Sequence, residues 1–108
     1  MTTLLVLKRA QLGVGDTALG QKVLGTFLRK AIALRDLDTI AMFNEGVKLV
    51  AQDSPVRAEL AMLEERGVDL MPCGTCLEHY GVEPVVGKVS DMDAILKEMD
   101  QAGKVIDL

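Results

Sequence analysis

The class of fold follows from residues 3–34, which read TLLVLKRAQLGVGDTALGQKVLGTFLRKAIAL. The stretch begins with Thr3 to Lys8, a short run of leucine and valine that is typical of a buried parallel strand. A glycine-containing loop from Arg9 to Gly15 follows this run. Asp16 or Thr17 can then cap a helix, because both side chains accept hydrogen bonds from free backbone N–H groups.

The predicted helix extends from this cap to about Leu34 and carries a broad apolar stripe. Apolar residues recur at helical spacing, and charged residues fall on the other side. The stripe comprises Leu19, Val23, Leu24, Phe27, Leu28, Ala31 and Ile32. We therefore expect this helix to lie on a sheet.

The same alternation of strand and helix continues along the chain. Further strands are predicted at Thr39 to Phe43, Val68 to Met71, Val85 to Val89 and Lys104 to Leu108. The helices between them are predicted from Asn44 through Gln52, from Ser54-Pro55 to Gly67, from Cys73 to near Gly81, and from a Ser90 cap to Ala102-Gly103. The predicted fold is α/β, a single domain over residues 1–108 with a mainly parallel five-stranded sheet covered on both faces.

Composition narrows the class of protein further. The 108 residues are 49% hydrophobic and 26% charged, which excludes a disordered chain. The net charge of −4 argues against nucleic-acid binding, and no apolar run approaches the roughly 20 residues of a membrane span. The start of the sequence does not resemble a signal peptide, so we expect a cytoplasmic protein with reduced thiols. The mean hydropathy of +0.25 favours a homo-oligomer.

Four loops follow the predicted strands at their carboxyl ends. They contain Gly13 to Asp16, Asn44 to Lys48, Cys73 to Cys76, and Ser90-Asp91. In an open parallel sheet, ligands bind at this edge, so we expect these loops to lie close together.

Cys73 is the most informative residue of that edge. It follows a strand and precedes a helix, where backbone N–H groups stabilise a thiolate, the reactive form of cysteine. Cys76 lies one helical turn further on and can attack a sulfur attached to Cys73. A buried pair of small apolar residues is the alternative interpretation. Together with His79 the pair has the spacing of metal ligands, but the chain offers no second Cys or His pair, so we predict no metal and no cofactor.

Two further loops contribute candidate residues. Asn44, Gly46 and Lys48 can hold an anion through backbone N–H groups and a positive charge, or they form a capped, solvated helix start. Gly15 and Asp16 are predicted to lie in a loop near the site, but Gly-x-Gly-Asp lacks the pattern of a nucleotide-binding loop. The glycines of that loop are then explained by turn geometry.

Several blocks of the sequence resemble the DsrE/DsrF-like family. They are Cys73-Gly74-Thr75-Cys76-Leu77, Asn44-Glu45-Gly46-Val47-Lys48-Leu49, Gly15-Asp16 with Leu19-Gly20, and Ala102-Gly103-Lys104-Val105-Ile106. The chain is most similar to the carboxy-terminal domain of YedF-type selenium-metabolism proteins. The resemblance implies a three-layer α/β/α sandwich, homo-oligomers and cysteine-based handling of sulfane sulfur, with Cys73 matching the persulfide-carrying cysteine.

The resemblance also bears on partners. Proteins of the YedF type carry an amino-terminal TusA-like sulfur-carrier domain, which this sequence does not contain. A TusA-like partner is then expected as a separate protein.

The function predicted from the residues and the resemblance together is sulfur transfer in a cytoplasmic relay, with a link to selenium metabolism. Cys73 accepts the sulfur, Cys76 resolves or tunes Cys73, and amides near Gly74 and Thr75 stabilise the anion with Lys48. The sequence contains no evident general base, which favours a carrier over an independent enzyme. Two alternatives stay open: a CxxC dithiol-disulfide redox protein, and a non-catalytic oligomeric subunit.

Overall fold

The computed structural model describes residues 2–108. Its four strands are β1 (Thr3–Leu7), β2 (Leu37–Met42), β3 (Asp69–Pro72) and β4 (Lys104–Asp107). They form one sheet in the order β3-β2-β1-β4, and every neighbouring pair is parallel. The parallel sheet predicted from the alternation of strands and helices is therefore confirmed.

Helices occupy most of the connections. They are α1 (Thr17–Lys30), α2 (Arg57–Glu65), α3 (Gly74–Tyr80) and α4 (Met92–Gln101), with 3₁₀ helices at Ala31–Ala33 and Asn44–Val50. Within residues 2–108, no helix is long and apolar enough to cross a membrane.

The helices form two layers around the sheet. An ion pair of 2.7 Å between Arg29 Nη1 and Glu59 Oε2 joins α1 to α2. The Thr39 hydroxyl on β2 donates to Glu98 Oε2 on α4 across 3.4 Å. Right-handed crossovers place α1 and α2 on one face, whereas the return from β3 to β4 places α4 on the other. The result is an α/β sandwich.

The core is centred on β1, which is buried on both faces. Its residues Thr3 to Leu7 are all at most 3% exposed. This accounts for the continuous run of leucine and valine, because a central parallel strand has no solvent-facing side. The largest fully buried side chains around it are Leu24, Leu28, Ile40, Met42, Leu49, Leu60, Leu63 and Ile95.

The prediction of a fifth strand at Val85 to Val89 is wrong. The segment does run beside β3: the Lys88 N–H donates to Leu70 O at 3.1 Å, and the Ser90 N–H donates to Pro72 O at 2.8 Å. The sheet nevertheless has four strands, and only an isolated bridge joins Cys73 to Ser90.

The local chemistry explains why this ladder is incomplete. Pro72 has no N–H to donate to the segment. Gly87 has a φ of +78°, outside the strand region, and its N–H donates to Glu64 Oε2 at 2.8 Å. The apolar composition of Val85 to Val89 therefore predicted a strand of the sheet, whereas the segment only runs beside β3.

The cap and the end of α1 are visible in its hydrogen bonds. Asp16 Oδ2 accepts from the Leu19 N–H at 2.7 Å, so Asp16 is the cap. The helix ends at Lys30 and not near Leu34, because the Ala31 N–H bonds to Leu28 O and the chain tightens into a 3₁₀ turn.

Two other helix starts differ from the prediction. Asp91, not Ser90, caps α4, since Asp91 Oδ1 accepts from the Ala94 N–H at 2.8 Å. The backbone of Ser90 is instead held beside β3. The helix predicted from the Ser54-Pro55 pair begins at Arg57.

Candidate functional site

The two cysteines lie where β3 passes into α3, and both are free thiols. The Cys73 N–H donates to Met42 O at 2.8 Å, and its carbonyl accepts from the Leu77 N–H at 3.0 Å. These bonds tie Cys73 to the carboxyl end of β2 and to the first turn of α3. Cys73 is 5% exposed, whereas Cys76 is half-buried. The prediction that the loops of this edge meet therefore holds for the loops after β2 and β3, and also for the loop that contains Ser90, which forms an isolated bridge with Cys73.

Cys76 receives a hydrogen bond from the loop after β2. The Asn44 N–H donates to Cys76 Sγ across 3.0 Å. Asn44 has a φ of 53°, a left-handed conformation that asparagine tolerates better than most residues. Asn44 thus faces the second cysteine of the pair.

Burial raises the pKa of the Cys76 thiol above its ordinary value. The hydrogen bond from Asn44 acts in the opposite direction because it stabilises the thiolate, while the hydrogen bond and the charge of Cys73 raise the pKa further. Cys73 is therefore close enough to Cys76 to influence its ionisation.

Gly46 is required by packing. A Cβ atom on this residue would lie 2.1 Å from Leu7 O, so no larger side chain fits between the 3₁₀ helix and the end of β1. Its N–H donates to Phe43 O at 3.1 Å. This N–H is therefore already paired and does not face an open anion site.

The first turn of α3 has one paired amide and two open ones. The Gly74 N–H donates to Ser90 O at 2.9 Å. Within residues 2–108, no backbone carbonyl accepts from the N–H groups of Thr75 and Cys76, as is usual at a helix start. Thr75 is exposed to solvent.

Lys48 lies on the outer side of this cluster. Its Nζ is 3.5 Å from Glu45 Oε2 and 4.6 Å from the centroid of the Tyr80 ring. No hydrogen bond in the described part of the chain joins it to either cysteine. Its positive charge is partly balanced by Glu45.

Gly15 and Asp16 lie further along the same edge. Asp16 caps α1, and the Gly15 carbonyl accepts from Gln11 Nε2 at 3.4 Å. Their loop and Glu45 line a shared surface cavity. No hydrogen bond described for residues 2–108 brings Gly15 or Asp16 to either cysteine.

Tyr80 is the site residue that the sequence analysis did not identify. Its hydroxyl donates to Asn44 Oδ1 at 2.8 Å, linking the end of α3 to the loop after β2. Tyr80 is the only tyrosine of the chain and lies four residues after Cys76, on the same helix face. This i, i+4 spacing is the feature of the sequence that indicates Tyr80 lies near Cys76.

No group of three or more His, Cys, Asp and Glu side chains in residues 2–108 is arranged to hold a metal ion. What the described residues bring together is a pair of interacting thiols at the carboxyl edge of a parallel sheet. The class defined by the fold and this site is an α/β sandwich with a dithiol centre.

The sequence model of the DsrE/DsrF-like family matches residues 20–108, so the chain belongs to the DsrE/DsrF-like family. This family is generally linked to sulfur relay. The match includes both cysteines and Asn44 to Lys48, while Gly15 and Asp16 precede it. A search of the curated proteins finds no significant match.

Solved structures share the fold over nearly the whole chain. The ychN protein from E. coli has a TM-score of 0.75 at 14% identity, covering 99% of this chain and 98% of its own. MTH1491 from Methanobacterium thermoautotrophicum has a TM-score of 0.73 at 16% identity, covering 99% and 98%. BT1422 from Bacteroides thetaiotaomicron has a TM-score of 0.70 at 17% identity, covering 99% and 94%. At these identities the likeness concerns the fold.

Proposed function

We propose that this protein is a sulfur carrier that transfers sulfane sulfur through a persulfide on Cys73. The observation that carries the proposal is the interacting pair Cys73 and Cys76 at the end of β3, in a family generally linked to sulfur relay. We expect a cytoplasmic carrier rather than an independent enzyme, formed by one domain over residues 1–108.

The loading step is a thiol exchange on a donor persulfide. The Cys73 thiolate attacks the outer sulfur of the donor, a new S–S bond forms to Cys73, and the donor S–S bond breaks. The donor leaves as its thiolate with the electron pair of the broken bond. In unloading, an acceptor thiolate attacks the outer sulfur on Cys73 in the same way, and Cys73 returns to the thiolate.

Cys76 provides a second route out of the loaded state. Its thiolate attacks the inner sulfur, which belongs to Cys73, and the outer sulfur leaves as hydrosulfide with the bonding electrons. The cysteines are thereby oxidised to a disulfide and the sulfane sulfur is reduced to sulfide. A dithiol reductant must then reduce the disulfide before the next cycle. Because the two thiols are neighbours, this route competes with transfer of the outer sulfur to an acceptor thiol.

The open amides nearest the cysteines support binding of the persulfide anion. The N–H groups of Thr75 and Cys76 have no backbone acceptor among the described residues, and Asn44 already donates to the sulfur of Cys76. Gly46 and Gly74 contribute indirectly, because Gly46 packs against Leu7 O and Gly74 against Ser90 O, which holds the backbone around the cysteines in place. Lys48 adds positive charge at the outer side, reduced by Glu45.

The proposal extends to partners and to selenium. The likeness of the CGTC-Leu and Asn-x-Gly-Val-Lys-Leu blocks to YedF-type proteins supports a TusA-like sulfur carrier as the donor or acceptor. The same likeness supports selenium as a second chalcogen handled at this site. The proposed carrier also associates with further copies of itself into a homo-oligomer.

A dithiol-disulfide redox protein is the second candidate. It is favoured by the direct interaction between the two cysteine side chains, which suits closure of an intramolecular disulfide. Such a protein would exchange two electrons with a dithiol substrate and carry no sulfur atom.

Intact-mass measurement after exposure to a persulfide donor distinguishes the two functions. We expect the Cys76→Ser variant to gain one sulfur atom on Cys73, to hold it longer than the unmodified chain and to lose it to a reductant. The matched Cys73→Ala variant should gain none. If the Cys76→Ser protein takes up no sulfur from any of several donors, the transfer function is refuted. Disulfide formation without uptake would establish the redox function instead.

A further inference from the structure

A chain of two hydrogen bonds leads from Tyr80 to the second cysteine. The Tyr80 hydroxyl donates to Asn44 Oδ1 at 2.8 Å, and the Asn44 N–H donates to Cys76 Sγ at 3.0 Å. We propose that Tyr80 is a positioning residue for Cys76: it holds Asn44 so that the Asn44 N–H stays on the Cys76 sulfur. This role concerns the thiol itself, and only its consequence for persulfide release rests on the proposed function.

The conformation and the solvent exposure of Asn44 do not by themselves hold its N–H in one direction. Its φ of 53° is left-handed, and the residue is exposed to solvent at the start of a 3₁₀ helix. An exposed N–H exchanges its acceptor readily for water. The bond from Tyr80 to the side chain of Asn44 removes that freedom.

Tyr80 is itself well held. It is half-buried on α3, one turn beyond Cys76, so its backbone moves with the cysteine. Lys48 Nζ lies 4.6 Å from the ring centroid, and the His79 ring packs edge-on at 4.9 Å between centroids. A rigid phenol therefore connects the helix that carries the thiol to the loop that donates to it.

The hydrogen bond changes the reactivity of Cys76 in a defined direction. It lowers the pKa of the thiol, opposing burial and the Cys73 side chain. The other charged or titratable side chains of this cluster are Lys48, Glu45 and His79. They are left unchanged by removal of the Tyr80 hydroxyl alone.

The first test measures alkylation of Cys76 against pH in a Cys73→Ala background, where Cys76 is the only thiol. In this background Tyr80→Phe should move the midpoint upward by about half a pH unit. Alkylation should then be about twofold slower at neutral pH, and faster above the midpoint, because a thiolate of higher pKa is more nucleophilic. Crossing profiles are a signature that a general loosening of structure would not produce.

Asn44→Gly is the matched variant, since glycine keeps the left-handed backbone and removes Oδ1. It should reproduce the Tyr80→Phe profile, and the double variant should match either single one, because both remove the same contact. Circular dichroism and thermal unfolding show whether each variant is folded. Unchanged profiles in folded Tyr80→Phe protein, or additive effects in the double variant, overturn the proposal.

The second test uses the chain with both cysteines and a persulfide donor. Sulfur uptake on Cys73 should be unchanged in Tyr80→Phe, while formation of the Cys73–Cys76 disulfide at neutral pH should be about twofold slower. Equal disulfide rates would overturn the consequence for release. If no variant takes up sulfur but the alkylation profiles still cross, the proposed function fails and the positioning role of Tyr80 stands.

Discussion

At the residue scale, the two cysteines are unlike each other despite their common motif. Cys73 is almost completely buried and bonded through its backbone to β2 and α3. Cys76 is more exposed, and its pKa is raised by burial and by Cys73. At neutral pH Cys76 is therefore held mainly as the thiol, and it gains nucleophilic thiolate as the pH rises.

Replacement of Cys73 by alanine should make Cys76 more acidic. The change removes the charge and the hydrogen bond that raise the pKa of Cys76, while burial and the Asn44 bond remain. The midpoint of Cys76 alkylation should therefore move to lower pH, and the rate at neutral pH should rise. The reference is the midpoint assigned to Cys76 in the unmodified chain by peptide mass mapping. A midpoint that does not move would show that the two thiols do not interact.

Residue chemistry was predictable where it depends on sequence spacing. The placement of Cys73 and Cys76 one turn apart followed from their separation and from the preceding strand. The partner of Tyr80 did not, because Asn44 lies 36 positions away and only folding brings them together. The packing of Gly46 was not predictable for the same reason, because the atom it lies against, Leu7 O, belongs to another element.

At the scale of elements, the start of α4 is set by the carboxylate of Asp91, which accepts a hydrogen bond from a backbone N–H of the first turn. Asp91 Oδ1 accepts from the Ala94 N–H, and no hydrogen bond of the Ser90 side chain is seen within residues 2–108. The backbone of Ser90 forms two hydrogen bonds: its N–H donates to Pro72 O, and its carbonyl accepts from the Gly74 N–H. The tertiary contacts of Ser90 thus shift the helix start by one residue.

Asp91→Ala should lower the free energy of unfolding by about 1 kcal/mol through loss of the cap. Ser90→Ala should be close to neutral, because the backbone bonds of Ser90 do not need its hydroxyl. Asp91→Asn should retain most of the stability, as asparagine is also a good cap. Urea unfolding curves of the three variants provide the measurement. A larger loss for Ser90→Ala than for Asp91→Ala would reverse the assignment of the cap.

At the scale of the whole molecule, two pairs of exposed apolar side chains lie one helical turn apart, and we call them the α1 patch and the α4 patch. Leu19 and Val23 on α1 are 58% and 40% exposed, although their stripe was expected to lie on the sheet. Met92 and Leu96 on α4 are 51% and 60% exposed. The helix stripe of α1 is wider than the surface it covers, which leaves apolar area open to a further contact.

We expect the protein to form a homo-oligomer, with a solution mass that is a multiple of 11.7 kDa by light scattering. Val23→Glu and Leu96→Glu place a charge in the α1 patch and the α4 patch, respectively. The substitution in the patch that forms the contact between chains should lower the solution mass of the protein. Lys97→Glu serves as the exposed control on α4. A mass of one chain for the unmodified protein at micromolar concentration would contradict the prediction.

By itself, the sequence determined the alternation of strands and helices, the burial of the first strand and the position of the thiol pair. These features are local, because they depend on hydrophobic periodicity and on short-range capping. Only the tertiary structure decided that Val85 to Val89 stays outside the sheet, that Gly46 is packed on β1 and that Tyr80 holds Asn44 on Cys76. The physical reason is that hydrogen-bond partners and steric contacts between distant segments exist only after the chain has folded.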